Sequence, residues 1–323
     1  MRKLSPTMTD QVGATSEVCM TSPYKAEPRS MKLRPLKWNW PGFILMLPAL
    51  VFMTLFVFIP TVYVIYLSGF KWNLLSATPK FVGLKNYVEL FSSPDFRESL
   101  WNTLFFSGGM MVISLPLGLL LAVLLDKKLK GTNFYRTVLF SPYVIPLVGS
   151  GLVWTLLYNK DYGLVNRVLS LLHIAGPDWL GSAAYALPAV LVMSVWQYLG
   201  YYMLIFLAGL QSVPDAIKEA AAVDGAGRWS TFRHVTLPSL APSIVFAMVV
   251  CLIQSFQTFD QVYVMTGGGP NNATSTLVYY IYNEGFQMFN IGKATAASVL
   301  LLVLLSVLTW LQVKMSNRWV VEE

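Results

Sequence analysis

Apolar residues gather along this chain into six blocks of about 20 or more, each long enough to cross a hydrocarbon layer roughly 30 Å thick as a helix. The blocks cover residues 42–67, 101–125, 137–157, 184–210, 240–265 and 294–313, and the only charged side chain inside them is Asp260. The apolarity is continuous and does not alternate with a period of two. A backbone inside lipid must satisfy its own hydrogen bonds, so the pattern predicts helices. The expected fold is all-α: a membrane protein of six transmembrane helices filling residues 41–315, with a polar stretch at 1–40 and a short end at 316–323.

Composition agrees with this pattern. Hydrophobic residues make up 55% of the 323, charged residues 12%, and the mean hydropathy is +0.55. That is too little charge to cover the surface of a soluble domain of this size. The Lys and Arg residues set an orientation. With the amino terminus inside, 16 of the 23 fall on the inner side: seven before residue 41, four in 126–136, Lys218, Arg228 and Arg233, and two after the last block. The other seven, Lys71, Lys80, Lys85, Arg97, Lys160, Arg167 and Lys293, fall outside. The bias predicts both termini in the cytoplasm. Trp38, Trp40, Trp72, Trp101 and Trp310 stand near block ends, as interfacial anchors do. The net charge of +7 is therefore accounted for by topology and calls for no nucleic acid.

Residues 1–40 are polar, interrupted by Pro6, Pro23, Pro28 and Pro35, and lack apolar periodicity, which predicts a largely disordered tail. The first block begins too late and runs too long for a cleaved signal, so it reads as an uncleaved anchor, kinked near Pro48 and Pro60. Cys19 in the tail and Cys251 in the fifth block face different environments and are not expected to pair. His173 and His234 lack companions at metal-ligand spacing, so no metal site is expected.

The segment 212–238 is the most unusual part of the chain, being polar and tightly turned between two long apolar blocks. Ser212 with Asp215 three residues on reads as a capping pair, Pro214 fits a first helical turn, and a helix is expected over 213–224. Ala220, Ala221 and Ala222 leave one surface of that helix bare enough for another backbone to approach, and Glu219 offers a charge. Gly225 and Gly227 then end the helix and turn the chain. A second short helix is expected from about Arg228, with Pro238 starting the next span.

Glu219, Ala220, Ala221, Gly225, Leu237 and Pro238 stand at the spacing of the EAA loop, and the segment resembles that loop of ATP-binding-cassette importer permeases. Phe81 to Phe96, the Asn102-Thr103 pair and the turn Thr266 to Thr274 resemble further segments of the sugar-type members, those of maltose, lactose and glycerol phosphate. The likeness runs from about Trp40 to near the end of the chain. It implies the six-helix permease bundle in a bacterial inner membrane, a second homologous permease, two ATPase subunits holding ATP and Mg, and an extracytoplasmic solute-binding protein. It also implies that Glu219, Ala220, Ala221, Asp224, Gly225, Leu237 and Pro238 couple to the ATPase. The chain carries no GxxxxGK[ST] phosphate loop, which agrees with ATP hydrolysis on another polypeptide and with no cofactor bound here.

Polar side chains inside spans are costly and normally face the bundle interior or a watery path. The fourth block offers Trp196, Gln197, Tyr198 and Tyr201, and the fifth offers Gln254, Ser255, Gln257 and Thr258. Amides and hydroxyls beside rings suit a carbohydrate, whose hydroxyls need hydrogen-bond partners and whose C–H faces stack on aromatics. An acidic oligosaccharide and a glycerol phosphate both remain open, as does the alternative that these groups bond helix to helix. A secondary transporter of a polar solute, the other class considered, calls for acids near the midplane, where Asp260 is the single marginal candidate.

Overall fold

The structure, a computed structural model, describes residues 40–73, 78–126 and 131–316. The contacts divide the chain into two units, Met1–Phe52 and Met53–Glu323. Residues 1–39 of the expected tail lie outside the described residues, and Trp40, its last expected residue, is already helical. What is described of the first unit, residues 40–52, is helical and belongs to α1 (Trp40–Met53), with Pro48 inside it.

The second unit is built almost wholly of helices. A π-helical turn, Thr54–Phe58, precedes α2 (Ile59–Ser68). In that turn the Ile59 N–H reaches five residues back to Thr54 O, a change of register just ahead of Pro60, which has no N–H to give. Among the described residues the all-helical expectation meets a two-residue ladder, in which β1 (Phe70–Lys71) pairs antiparallel with β2 (Lys80–Phe81), and an isolated bridge between Asn73 and Asn290. The remaining helices begin with α3 (Lys85–Ser92), α4 (Pro94–Leu125), α5 (Thr132–Val144), α6 (Leu147–Leu157), α7 (Leu164–Leu171) and α8 (Ala183–Ser212). They continue with α9 (Asp215–Val223), α10 (Arg228–Thr231), α11 (Leu237–Ser239), α12 (Ala241–Phe256), α13 (Asp260–Met265), α14 (Leu277–Tyr282) and α15 (Ile291–Ser316). Among the described residues, four helices are long and apolar enough to cross a membrane, 42–68, 94–125, 183–212 and 291–316, and up to six spans result if two bent pairs each count as one.

Those bent pairs are where the apolar blocks misled. The third block is not one rod: α5 and α6 meet at 96°. Ile145 and Pro146 between them are extended, with ψ of 132° and 133°, because the proline ring bars the preceding residue from helical geometry. At the fifth block, the helical stretch Arg228–Ser239 turns 64° into α12, so the span begins at Ala241 and not at Pro238. The same block breaks again at Gln257, Thr258 and Phe259, before α13.

The core sits where α8 crosses α4, α5 and α12. On α4 the buried residues Ser99, Thr103, Phe106, Met110, Ser114, Gly118, Ala122 and Leu125 form one stripe at helical spacing, while Phe105, Val112, Leu120 and Leu124 on the other side are exposed. The small members of the stripe let backbones close in. A Cβ at Gly118 would lie 3.0 Å from Tyr202 Cβ. Helix α8 is buried over much more of its circumference, with Val190, Met193, Tyr202, Met203 and Phe206 among its enclosed side chains. Cys251 is buried and in no disulfide among the described residues, which do not include Cys19.

Two motifs far apart in sequence form a polar clasp at one end of this core. Asn102 donates to the carbonyl oxygens of Asn272 (3.0 Å) and Ser275 (3.1 Å), Ser99 meets Ser275 hydroxyl to hydroxyl at 2.9 Å, and Thr103 accepts from the Leu277 N–H at 2.8 Å. Thr276 donates to Thr258 O at 2.8 Å, tying the start of α14 to the break in the fifth block.

Candidate functional site

The polar loop leaves α8 through an extended pair, Val213 and Pro214, with ψ of 119° and 132°. This corrects the expected start. Ser212 is the last residue of α8, its hydroxyl donates back to Gly209 O, and α9 begins at Asp215 after an N-cap without a side-chain bond. Pro214 explains the difference, since it holds Val213 out of the helical region and leaves the serine on the wrong side of the break.

The far end of α9 follows the sequence closely. Gly225 has φ of +78°, its N–H bonds to Ala222 O at 3.1 Å, and the Ala226 N–H bonds to Ala221 O at 2.9 Å. These two bonds and the left-handed glycine constitute a Schellman cap, which satisfies the last carbonyls of a short helix. The spacing from Ala221 to Gly225 is thus a geometric requirement of that stop. After the turn, α10 and a π-helical stretch, Phe232–Thr236, return the chain to α11 and α12. Glu219, Ala220, Asp224, Gly225 and Pro238 are exposed, and Ala221 and Leu237 are half-buried. In the same loop Val223 and Trp229 are 88% and 71% exposed. Beside the loop lies a cavity of about 630 Å³ lined by Asp126, Asn133, Arg136, Gln211 and Lys218, which the sequence did not announce.

The candidate path residues gather around the two helix breaks. Gln197 is buried, and its amide nitrogen donates to the carbonyl oxygens of Pro142 and Ile145, the latter at 2.8 Å; Pro142 O also accepts the Ile145 N–H at 3.2 Å, whereas Ile145 O, at the bend between α5 and α6, takes its donor from Gln197. Its own oxygen is buried and accepts no hydrogen bond from the described residues. Tyr202 donates to Gln254 Oε1 at 3.0 Å, joining α8 to α12. Ser255 and Thr258 are buried, Tyr198, Tyr201 and Gln254 are half-buried, and Trp196 and Gln257 are exposed. Gln261 lies within 3.4 Å of Ser194 and 3.5 Å of Thr258. Two rings missed in the sequence join this group: Tyr143 stacks on Tyr201 at 4.6 Å and 13°, and Phe140 lies 5.5 Å from Tyr143. Both come from α5, which packs against α8. Among the described residues no cluster of His, Cys, Asp or Glu could hold a metal ion.

A capped helical turn projecting between two spans, over a bundle with two bent helices, invites comparison with known membrane proteins. The family described as "Binding-protein-dependent transport system inner membrane component" matches residues 114–321. The chain belongs to this family. The permease is 36% identical to the probable ABC transporter permease protein YurN of Bacillus subtilis over 276 residues, 84% of this chain and 94% of the other. It is 34% identical to the trehalose/maltose transport system permease protein MalF of Thermococcus litoralis, over 86% and 94% of the two chains. Its fold is similar to that of a bacterial ABC transporter involved in the import of the acidic polysaccharide alginate, with a TM-score of 0.76, 25% identity, and coverage of 86% of this chain and 96% of that one.

Proposed function

We propose that the permease is one of two similar membrane subunits of an ATP-driven, binding-protein-dependent importer of a carbohydrate in a bacterial inner membrane. A second permease completes the path, two ATPase subunits bind and hydrolyse ATP with Mg outside this chain, and an extracytoplasmic binding protein delivers the solute. The observation that carries this reading is the exposed, Schellman-capped turn at 215–231, in which Glu219, Ala220, Ala221, Asp224 and Gly225 stand on a rigid knob fed by Leu237 and Pro238.

The carbohydrate assignment has two supports. One relative named for trehalose/maltose and one neighbour named for alginate are both sugar systems. The path residues Trp196, Gln197, Tyr198, Tyr201, Gln254, Ser255, Gln257 and Thr258 pair rings with amides and hydroxyls. Gln197 has a buried oxygen to offer a sugar hydroxyl, although its nitrogen is committed to the helix break.

Reconstituted vesicles holding the complete importer test the reading. ATP-dependent sugar uptake should survive an ionophore and should fall about tenfold in Gly225→Val, since a branched residue at a left-handed position carries strain of roughly 1–2 kcal/mol. No atom lies within 4 Å of a Cβ built at Gly225, so the strain acts through the backbone alone. Gly225→Asn should recover part of the loss, because asparagine tolerates that conformation. Uptake that collapses with the ionophore would assign the chain to secondary transport, and normal uptake with normal ATPase retention in Gly225→Val would remove the knob from coupling.

The orientation has its own test. Ser170→Cys and Ser230→Cys, both at exposed positions, are placed singly in a cysteine-free chain. An impermeant maleimide should label the first from outside the cell and the second only after the inner membrane is opened; the reverse pattern overturns the charge argument.

A further inference from the structure

The break in the fifth span opens onto a group of rings that no path residue accounts for. Phe259, inside the break, lies 5.4 Å from Tyr263 and 5.0 Å from Tyr282 between ring centroids. Tyr263 and Tyr282 are 5.5 Å apart, Tyr279 stacks on Phe259 at 6.3 Å, and Phe286 stacks on Tyr282 at 5.7 Å and 26°. These are core-like contacts, yet the rings are not enclosed. Tyr263 is 48% exposed, Phe286 is 71% exposed, and the other three are half-buried.

The cluster is also held in place. Tyr279 donates its hydroxyl to Gly267 O at 2.6 Å, and Gln287 donates to the Tyr282 hydroxyl at 3.0 Å. The glycine turn is moulded round one ring: Gly268 has φ of +80°, and a Cβ there would fall 2.3 Å from Tyr279 Cε1. A membrane-interface anchor is usually a single ring whose polar end reaches water. Here the Tyr279 hydroxyl is spent on the chain itself, the Tyr282 hydroxyl receives the Gln287 amide, and the rings stay partly open beside that exposed amide. Fixed aromatic faces beside amides suit the apolar C–H face and the hydroxyls of a pyranose. Charge narrows the class further. The only ionisable charges carried by residues 257–287 are those of Asp260 and Glu284, both acidic, which disfavours a carboxylated sugar.

We propose that Phe259, Tyr263, Tyr279, Tyr282 and Phe286 form an extracytoplasmic stacking platform for the pyranose rings of a neutral oligosaccharide, a station between the binding protein and the polar break of the fifth span. This rests on the reading of the permease as a carbohydrate importer and adds the site and the charge class.

The test uses the complete importer in lipid nanodiscs, with maltotriose and the trimer of galacturonate as probes. Saturation-transfer NMR should show magnetisation passing from the protein to the ring C–H protons of maltotriose, more strongly than to the acidic trimer. Tyr282→Ala should weaken the maltotriose signal by about fivefold, as expected for one lost stacking face, and Tyr282→Phe should largely keep it. Equal transfer in wild type and Tyr282→Ala overturns the platform. Stronger transfer to the galacturonate trimer overturns the neutral assignment. Loss of the second permease from Tyr282→Ala on size-exclusion chromatography also overturns it, by assigning the rings to a subunit interface. Uptake is measured in parallel: vesicles that import sugar with unaltered transfer in Tyr282→Ala condemn the platform alone, whereas vesicles importing no carbohydrate condemn the importer reading.

Discussion

Gly200→Ala should leave little folded permease in the membrane. A Cβ at Gly200 would stand 2.0 Å from Leu139 O, 2.5 Å from Leu139 C and 2.7 Å from Phe140 Cα. All three atoms are backbone, so no side chain can swing aside and α5 itself must retreat from α8. The cost should exceed the roughly 1–3 kcal/mol of ordinary overpacking, which a rotamer change relieves. Retreat would also part the stacked Tyr143 and Tyr201 rings and lift the carbonyls of Pro142 and Ile145 from Gln197, since all these contacts share the α5–α8 seam. Gly109→Ala is the control. Its Cβ would lie 2.5 Å from Leu191 Cδ2, the end of a flexible side chain. Detergent-extracted Gly109→Ala should run as a single species, with Gly200→Ala aggregated or degraded. Equal behaviour of the two would mean that the seam is looser than its distances state.

How far the chain could be read in advance depends on which physical signal each feature leaves. Span lengths were legible because hydrocarbon thickness demands a count of apolar residues, and 184–210 differs from Ala183–Ser212 only at its ends. The stop of α9 was legible too, because a left-handed position selects glycine and Gly225 is one. Its start was not: the capping chemistry of Ser212 and Asp215 was outweighed by the restriction Pro214 places on Val213. Hydropathy is blind to the same restriction at Pro146, so a block read as one rod bends by 96°. The Ile145 carbonyl that the bend offers to Gln197 was hidden with it. The clasp was visible as residue types but not as a pairing, since Asn102 and Ser275 lie 173 positions apart and polar side chains in spans do not name their partners.

That bend also sets what Gln197→Leu should do. Leucine is close in size and keeps the helix, so the change removes hydrogen bonding and little else. Pro142 O would keep the Ile145 N–H as a donor at 3.2 Å, but Ile145 O would lose the bond that Gln197 supplies. A buried carbonyl left without a donor costs roughly 1–3 kcal/mol, toward the upper end where lipid supplies no replacement. The thermal midpoint of the assembled importer should therefore fall by several degrees. If Gln197 only held the bend, uptake per folded complex would stay at the wild-type value. The buried oxygen without a partner argues for a second contribution, an acceptor for a sugar hydroxyl, and predicts uptake per folded complex reduced several-fold as well. Gln254→Leu breaks a bond between helices, Tyr202 to Gln254, without touching the bend, and calibrates the loss of one interhelical contact. A Gln197→Leu complex with an unchanged midpoint would show that the break is held by something other than this amide, and a lowered midpoint with unaltered specific uptake would confine Gln197 to the scaffold.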